Sequence, residues 1–282
     1  MNTDVSDQHP DHGAPRPGDA RTAADVERLA EVLYGPSPSH LGKHWGTGVL
    51  HPTSVWRGAQ GDADKPMTLR IGDQTPKSPW DDFALGLARA RADAIITSGR
   101  ILRTEPQLRH DMPGPGSLPE ALADWRRELG KSKPPLSLIM SLSGEIDLEH
   151  PLFGGPGRVL VYTSERGAWH LDSRAADAAV EVQAVAEPTA QGAIDFARAA
   201  FGCATISIEA GPSISRRLYD EPAAIDEVLL STYLGTELPT AARGGRQISR
   251  TWLDYRYERV STSTQPAPGA PNAWRFERFL KR

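Results

Sequence analysis

One cysteine in 282 residues, Cys203, sits inside an apolar strand pattern and leaves no thiol to pair with it. That rules out a disulfide framework and a cysteine-based metal centre, and points to a reducing, cytoplasmic setting. No apolar run is long enough to cross a bilayer. The opening "MNTDVSDQHPDHGAPRPGDARTAAD" also lacks the basic and apolar segments of a secretory signal, so no membrane partner is expected. A basic stripe is missing too, the formal charge being -4, which argues against a nucleic-acid surface. No strand pattern is followed by G-x-G-x-x-G. "ELGKSKPP" carries the Gly-Lys-Ser of a phosphate loop but has Trp125 where the upstream glycine belongs, and it precedes a strand instead of following one. Neither a standard dinucleotide fold nor a nucleoside triphosphatase is therefore indicated. His40 and His44 share a helical spacing with His51 nearby, but glycines and prolines interrupt any helix there and no carboxylate completes a metal set.

What is present is an alternation. Residues 1–20 read as a disordered leader, and 21–65 as an extension holding one short helix in "AADVERLAEVLYG" followed by a Gly/Pro/Ser-rich surface wrap. From residue 66 to 282 runs the main domain: "MTLRIG" as strand, "PWDDFALGLARARA" as helix, "DAIITSG" as strand, "SLPEALADWRREL" as helix, then "PLSLIMSLS", "RVLVYTS" and "VEVQAVA" as three strands in a row, and helices and strands in turn as far as "AIDEVLLSTYL". Such spacing predicts an α/β domain with a mostly parallel central sheet flanked by helices. The ending, "LDYRYERVSTS" and "NAWRFERFLK", predicts a pair of antiparallel strands at one edge. Their aromatics, Tyr255, Tyr257, Trp274 and Phe276, together with Tyr233, read as more aromatic surface than a monomer exposes and suggest a homodimer.

Three strand ends carry residues suited to an anion: Thr97, Ser98, Gly99 and Arg100 in "IITSGR", Thr163, Ser164 and Arg166 in "VYTSERG", and Glu209 to Ser213 in "IEAGPS". Ligands of open α/β sheets settle outside the carboxyl ends of strands, where loops and helix starts converge. Jointly these ends predict one extended, phosphate-bearing ligand, although turn chemistry alone also favours Ser, Thr and Gly at each.

The order of "KSPWDDFALGLARARADAIITSGRILRTEPQL", "PLSLIMSLSGEIDLEHPLF", "RVLVYTS", "ISIEAGPSISRRL" and "IDEVLLSTYLG" resembles the reductase domain of bacterial riboflavin biosynthesis, a dihydrofolate-reductase-like pyrimidine reductase. The single cysteine leaves no room for the zinc deaminase to which that domain is commonly fused. The resemblance implies NADPH as cofactor and a small heterocyclic, phosphorylated ribosylaminopyrimidine as substrate. It implies substrate contacts at Ser78, Arg89, Leu108 and Glu209, with Arg89 on the substrate phosphate. It also implies cofactor contacts at Trp80, Thr104, Ser164, Arg166 and the turn Gly211, Pro212, Ser213 and Ile214. Three departures stand out: Ala210 where the family has a second glycine, only Gly72-Asp73 in place of a Ser-Leu-Asp-Gly element, and Arg100 for a threonine. A dihydropterin reductase using Asp81 or Asp82, and an inactive NADP-binding module, are the alternatives.

Overall fold

The computed structural model describes residues 15–35, 47–58, 64, 66–177, 180–220, 222–266 and 273–282. The chain enters through a single 3-10 turn, Pro17–Asp19, and helix α1 (Ala23–Tyr34). Thr22 and Asp25 close a capping box at the start of α1, and Val26, Leu29, Ala30 and Leu33 recur on one face, which is fully buried. Residues 1–14 of the expected leader lie outside the described residues. The remainder is structured, with Pro17 and Ala20 buried.

The sheet contains β1 (Gly48–Trp56), β2 (Met67–Leu69), β3 (Ala94–Ser98), β4 (Leu136–Ser141), β5 (Val159–Ser164), β6 (Glu181–Val185), β7 (Thr205–Ile208), β8 (Glu227–Tyr233), β9 (Arg243–Arg246), β10 (Tyr257–Pro266) and β11 (Ala273–Lys281). Its order is β10-β11-β8-β1-β7-β3-β4-β5-β6, with β2 and β9 branching from β1. The run from β8 through β6 is parallel, and β11 and β10 close one edge antiparallel, as the alternation predicts.

Helices α2 (Pro79–Arg91), α3 (Gly99–Thr104), α4 (Leu118–Glu128), α5 (Glu165–Asp177), α6 (Ala190–Phe201), α7 (Pro212–Ser215) and α8 (Arg250–Arg256) connect the strands. One core cluster joins α1, α2 and α4 to the sheet, and a second gathers around α6 and the inner strands. Gly86 permits the close approach of α2 to α4: a Cβ there would lie 2.4 Å from Leu122 Cδ1.

Four expectations need correction. The boundary at residues 65 and 66 does not divide the structure, because β1 lies in the middle of the sheet, between β8 and β7. Helix α5 follows β5 directly, where the sequence was read as strand to strand. The segment expected to be a strand from Leu253 begins inside α8, whose first turn is capped by Ser249 accepting from the Trp252 N–H at 3.0 Å. Finally, Tyr233, Trp274 and Phe276 are core residues because β8 and β11 are internal strands, and Tyr257, at the start of edge strand β10, is buried against Tyr219 and Trp252. Only Tyr255 of that set is exposed, so the aromatic argument for a dimer falls.

Candidate active site

Parallel pairing of β1 with β7 runs from Gly48↔Thr205 to Leu50↔Ser207 and stops, whereas β1 stays paired with β8 as far as Trp56↔Tyr233. Strand β2 takes up the free edge of β1 only at Val55 and Trp56. The sheet is therefore split over His51–Ser54, and the split opens a cavity of about 400 Å³ lined from both faces. Proline inside a central strand would ordinarily cost a ladder bond. The Asp226 N–H donates to the Val49 carbonyl, so the odd-numbered main-chain groups of β1 face β8 and the even-numbered ones face the split. Pro52 thus has no N–H at the one edge where none could be paired.

The carboxyl ends of β3 and β7 supply the opposite wall. Thr97 Oγ1 donates to the Glu209 carbonyl at 2.9 Å and fixes where β7 turns away. Glu209 itself pairs with Arg89 from α2: Nε donates to both carboxylate oxygens at 3.0 and 3.1 Å and Nη2 to Oε2 at 2.6 Å. Nη1 of Arg89 donates to the carbonyls of Arg109 and Asp111 at 3.0 and 2.8 Å, and the side chain is almost fully buried. Of the five N–H donors that the guanidinium presents in a fixed fork, these partners take four, and Glu209 meets its charge. Arg89 is therefore an anchor for Glu209 and for the 109–111 segment while it also lines the cavity, and its expected role on a substrate phosphate competes with the Glu209 carboxylate.

A second wall is acidic. Asp81 is half-buried, accepts from Ser54 Oγ at 2.7 Å and is raised by desolvation. Burial, then Asp81, pushes Asp82 up to about 6. Burial, then the Glu209 charge, pushes Glu105 up to about 7. Burial would also raise Glu209, but Arg89 overrides it and holds that carboxylate below its ordinary range. Ser78, at the start of α2, is buried with its hydroxyl unpartnered. Cations stand only at the mouth among the described lining residues other than Arg89: Arg70, Lys77 and Arg100 are all exposed.

The other anticipated residues divide. Ser98, Thr104, Leu108, Gly211, Pro212 and Ser213 line the same cavity. The Ser98 hydroxyl, though, caps α3 by accepting from the Ile101 N–H at 3.3 Å. Gly99 is buried against Ser141 and Ile146, and Ile214 packs on the second core cluster. Trp80 lies in the first core cluster, edge-on to Phe83. Thr163 is fully buried, and Ser164 caps α5, donating to the Leu142 carbonyl and accepting from the Gly167 N–H. Neither these two nor the exposed Arg166 lines the cavity. His40 and His44 lie outside the described residues. Sequence reasoning missed Glu105, Ser54 and His51 as wall residues; the one available signal was Thr104-Glu105-Pro106 directly after a ligand-facing strand end.

No protein-family model matches the chain, and no curated protein does. Solved structures match it. The RibD protein of Acinetobacter baumannii is 16% identical at a TM-score of 0.57, over 86% of this chain and 59% of that one. The chain thus spans 59% of the length of that relative. A pyrimidine reductase-like protein of Corynebacterium diphtheriae is 21% identical at a TM-score of 0.57, over 90% of this chain and 98% of that one. The riboflavin biosynthesis reductase of Saccharomyces cerevisiae is 10% identical at a TM-score of 0.50, over 90% and 98%. The fold is the dihydrofolate-reductase-like α/β fold that these proteins share.

Proposed function

We propose that this chain is an NADPH-dependent reductase of a small heterocycle, of the kind the similar structures' names describe, and that the split between β1 and β7 is where cofactor and substrate meet. The observation that carries this reading is the polarity of the cavity: exposed cations at its mouth, and inside it carboxyl groups in two ionisation states. Phosphates suit the mouth, and a neutral ring with N–H groups suits the interior.

The residues fit a dinucleotide. A Cβ built on Gly211 would meet nothing within 4 Å, so the turn after β7 faces open space where a phosphate could approach the main chain. Ala210, the departure that motivates an inactive module, is buried within the second core cluster. Gly211, Pro212 and Ser213 would hold the pyrophosphate, with Arg100 at the opposite lip. When bound, NADPH supplies the hydride. Reduction of C=N then needs a proton on nitrogen, and Glu105, which keeps its proton to about pH 7, is placed to donate it and to be reprotonated from solvent. Glu209 orients the ring as a carboxylate fixed by Arg89, and Leu108 supplies apolar wall.

Because α7 is a single turn, its dipole is small and the phosphate seat rests on local N–H groups. Ser213→Asp is accordingly expected to weaken NADPH about tenfold by charge repulsion while leaving the melting temperature unchanged. Unaltered NADPH affinity in a titration would sink the phosphate assignment.

A second reading is favoured by Asp81. Its half-buried carboxyl, held by Ser54, is suited to a pterin amidine, which would make the substrate a dihydropterin. Asp81→Asn should then abolish turnover of dihydropterins and spare a ribosylaminopyrimidine. Steady-state NADPH oxidation with both substrates separates the two readings.

A further inference from the structure

His51 is the first residue of β1 beyond the end of the β7 ladder, and it is among the residues lining the cavity although it is only 1% exposed. Its Nδ1 lies 2.5 Å from the Tyr219 hydroxyl, and the two rings meet edge-on. Tyr219 is buried to 1% by Trp252 and Tyr257. His51 is neutral at physiological pH, burial lowering it to about 4. If Nδ1 carried the proton and gave it to the phenol oxygen, the phenolic hydrogen would be buried without an acceptor, an arrangement that costs a full desolvation penalty. The phenol therefore donates to Nδ1, and the imidazole proton resides on Nε2.

The direction of approach follows from the alternation of β1. Thr53, two residues on, accepts from Gln247 Nε2 at 3.2 Å, and Gly245 lies against Pro212, so this face of the split is the one on which the Gly211 turn stands. Ser54 and Asp81 belong to the other face. A ring tethered to a pyrophosphate at Gly211–Ser213 would enter the split from the His51 side.

We infer that His51 is a cofactor-binding residue that donates its Nε2–H to the carboxamide oxygen of the nicotinamide ring, and that Tyr219 is the positioning residue that fixes the donating tautomer. This inference rests on the NADPH reading. It assigns a task to a buried histidine that the reduction chemistry itself leaves unused.

The test compares NADPH with adenosine 2′,5′-bisphosphate, which has the adenosine end but no nicotinamide. His51→Leu should weaken NADPH about tenfold and leave the bisphosphate unchanged, while His51→Gln, which restores an N–H near the Nε2 position, should recover most of the loss. Nitrogen-15 NMR of the histidine rings should show the Nε2–H tautomer for His51 in the wild type and a mixture in Tyr219→Phe. The NMR result stands even where His51→Leu fails to fold. An Nδ1–H tautomer, unchanged NADPH affinity in His51→Leu, or equal weakening of both ligands overturns the inference and leaves the reductase reading standing. A wild-type protein that binds neither ligand overturns both.

Discussion

Glu105→Gln is expected to slow turnover by about a hundredfold or more, the usual contribution of a positioned general acid, while NADPH affinity holds. The same substitution should stabilise the ligand-free protein at alkaline pH. Glu105 is raised in the folded state from its ordinary value of 4.5 to about 7, chiefly by burial. A carboxyl raised on folding binds its proton more tightly when folded, so stability is lost as pH climbs through that interval. Below about pH 4.5 both states are protonated and the penalty is absent; above about pH 7 it is fully present. Asp82, raised to about 6, adds to the same trend. Melting temperatures of wild type and Glu105→Gln should coincide at pH 4 and diverge by pH 8, with the variant higher. In wild type, kcat should decline as pH rises past about 7. A variant that is slower yet no more stable at pH 8 would mean that Glu105 is ionised throughout and is not the acid.

Glu209→Ala should destabilise the fold by about 3–5 kcal/mol, because it leaves the Arg89 guanidinium buried without its counter-charge. Arg89→Met should cost a similar amount from the other side. Replacing both, Arg89→Met with Glu209→Leu, should recover most of the loss, since a well-packed apolar pair is often as stable as a buried ion pair. The paired Glu209 is held below its ordinary range, so its contribution is present above about pH 4.5 and disappears as pH falls through the folded value. Chemical denaturation of the two single variants and the double variant gives the coupling energy. Additive losses would show that the pair is not a unit. The double variant should still fold and fail to turn over, which separates the role of Glu209 in holding Arg89 from its role toward substrate.

The parallel core was legible because β3, β4, β5, β7 and β8 are short apolar runs punctuated by helices of ordinary length. β1 was hidden by its chemistry. "GVLHPTSVW" carries a proline and a buried histidine at the positions facing or flanking the split, so the break that makes the cavity also erased the strand signal. Helix α5 was hidden by Gly167 and its charged first turn, and α8 by the aromatic alternation that continues into β10. At the site, strand ends pointed to the turn Gly211–Ser213 and the family resemblance to Ser78 and Leu108, all of which line the cavity. They could not reveal that Arg89 faces Glu209 across 120 positions of sequence, nor that Ser98 and Ser164 use their hydroxyls as helix caps. Those facts depend on which partner reaches the group first, and sequence spacing is silent on that.

The place of β1 in the sheet also has a consequence for how the chain is made. Both of its long-range partners, β7 and β8, are encoded in the last third of the polypeptide, and its Val49 N–H is received by Asp226, 177 positions away. During translation at about 5–20 residues per second, β1 waits roughly ten to thirty seconds with only the short β2 to pair with before β7 and β8 emerge. Val49 and Leu50, buried in the finished fold, lack their covering strands for that interval. The nascent chain is therefore a client for a hydrophobic-binding chaperone over that interval, and ribosome-stalled chains ending before residue 205 should be captured while full-length chains are not.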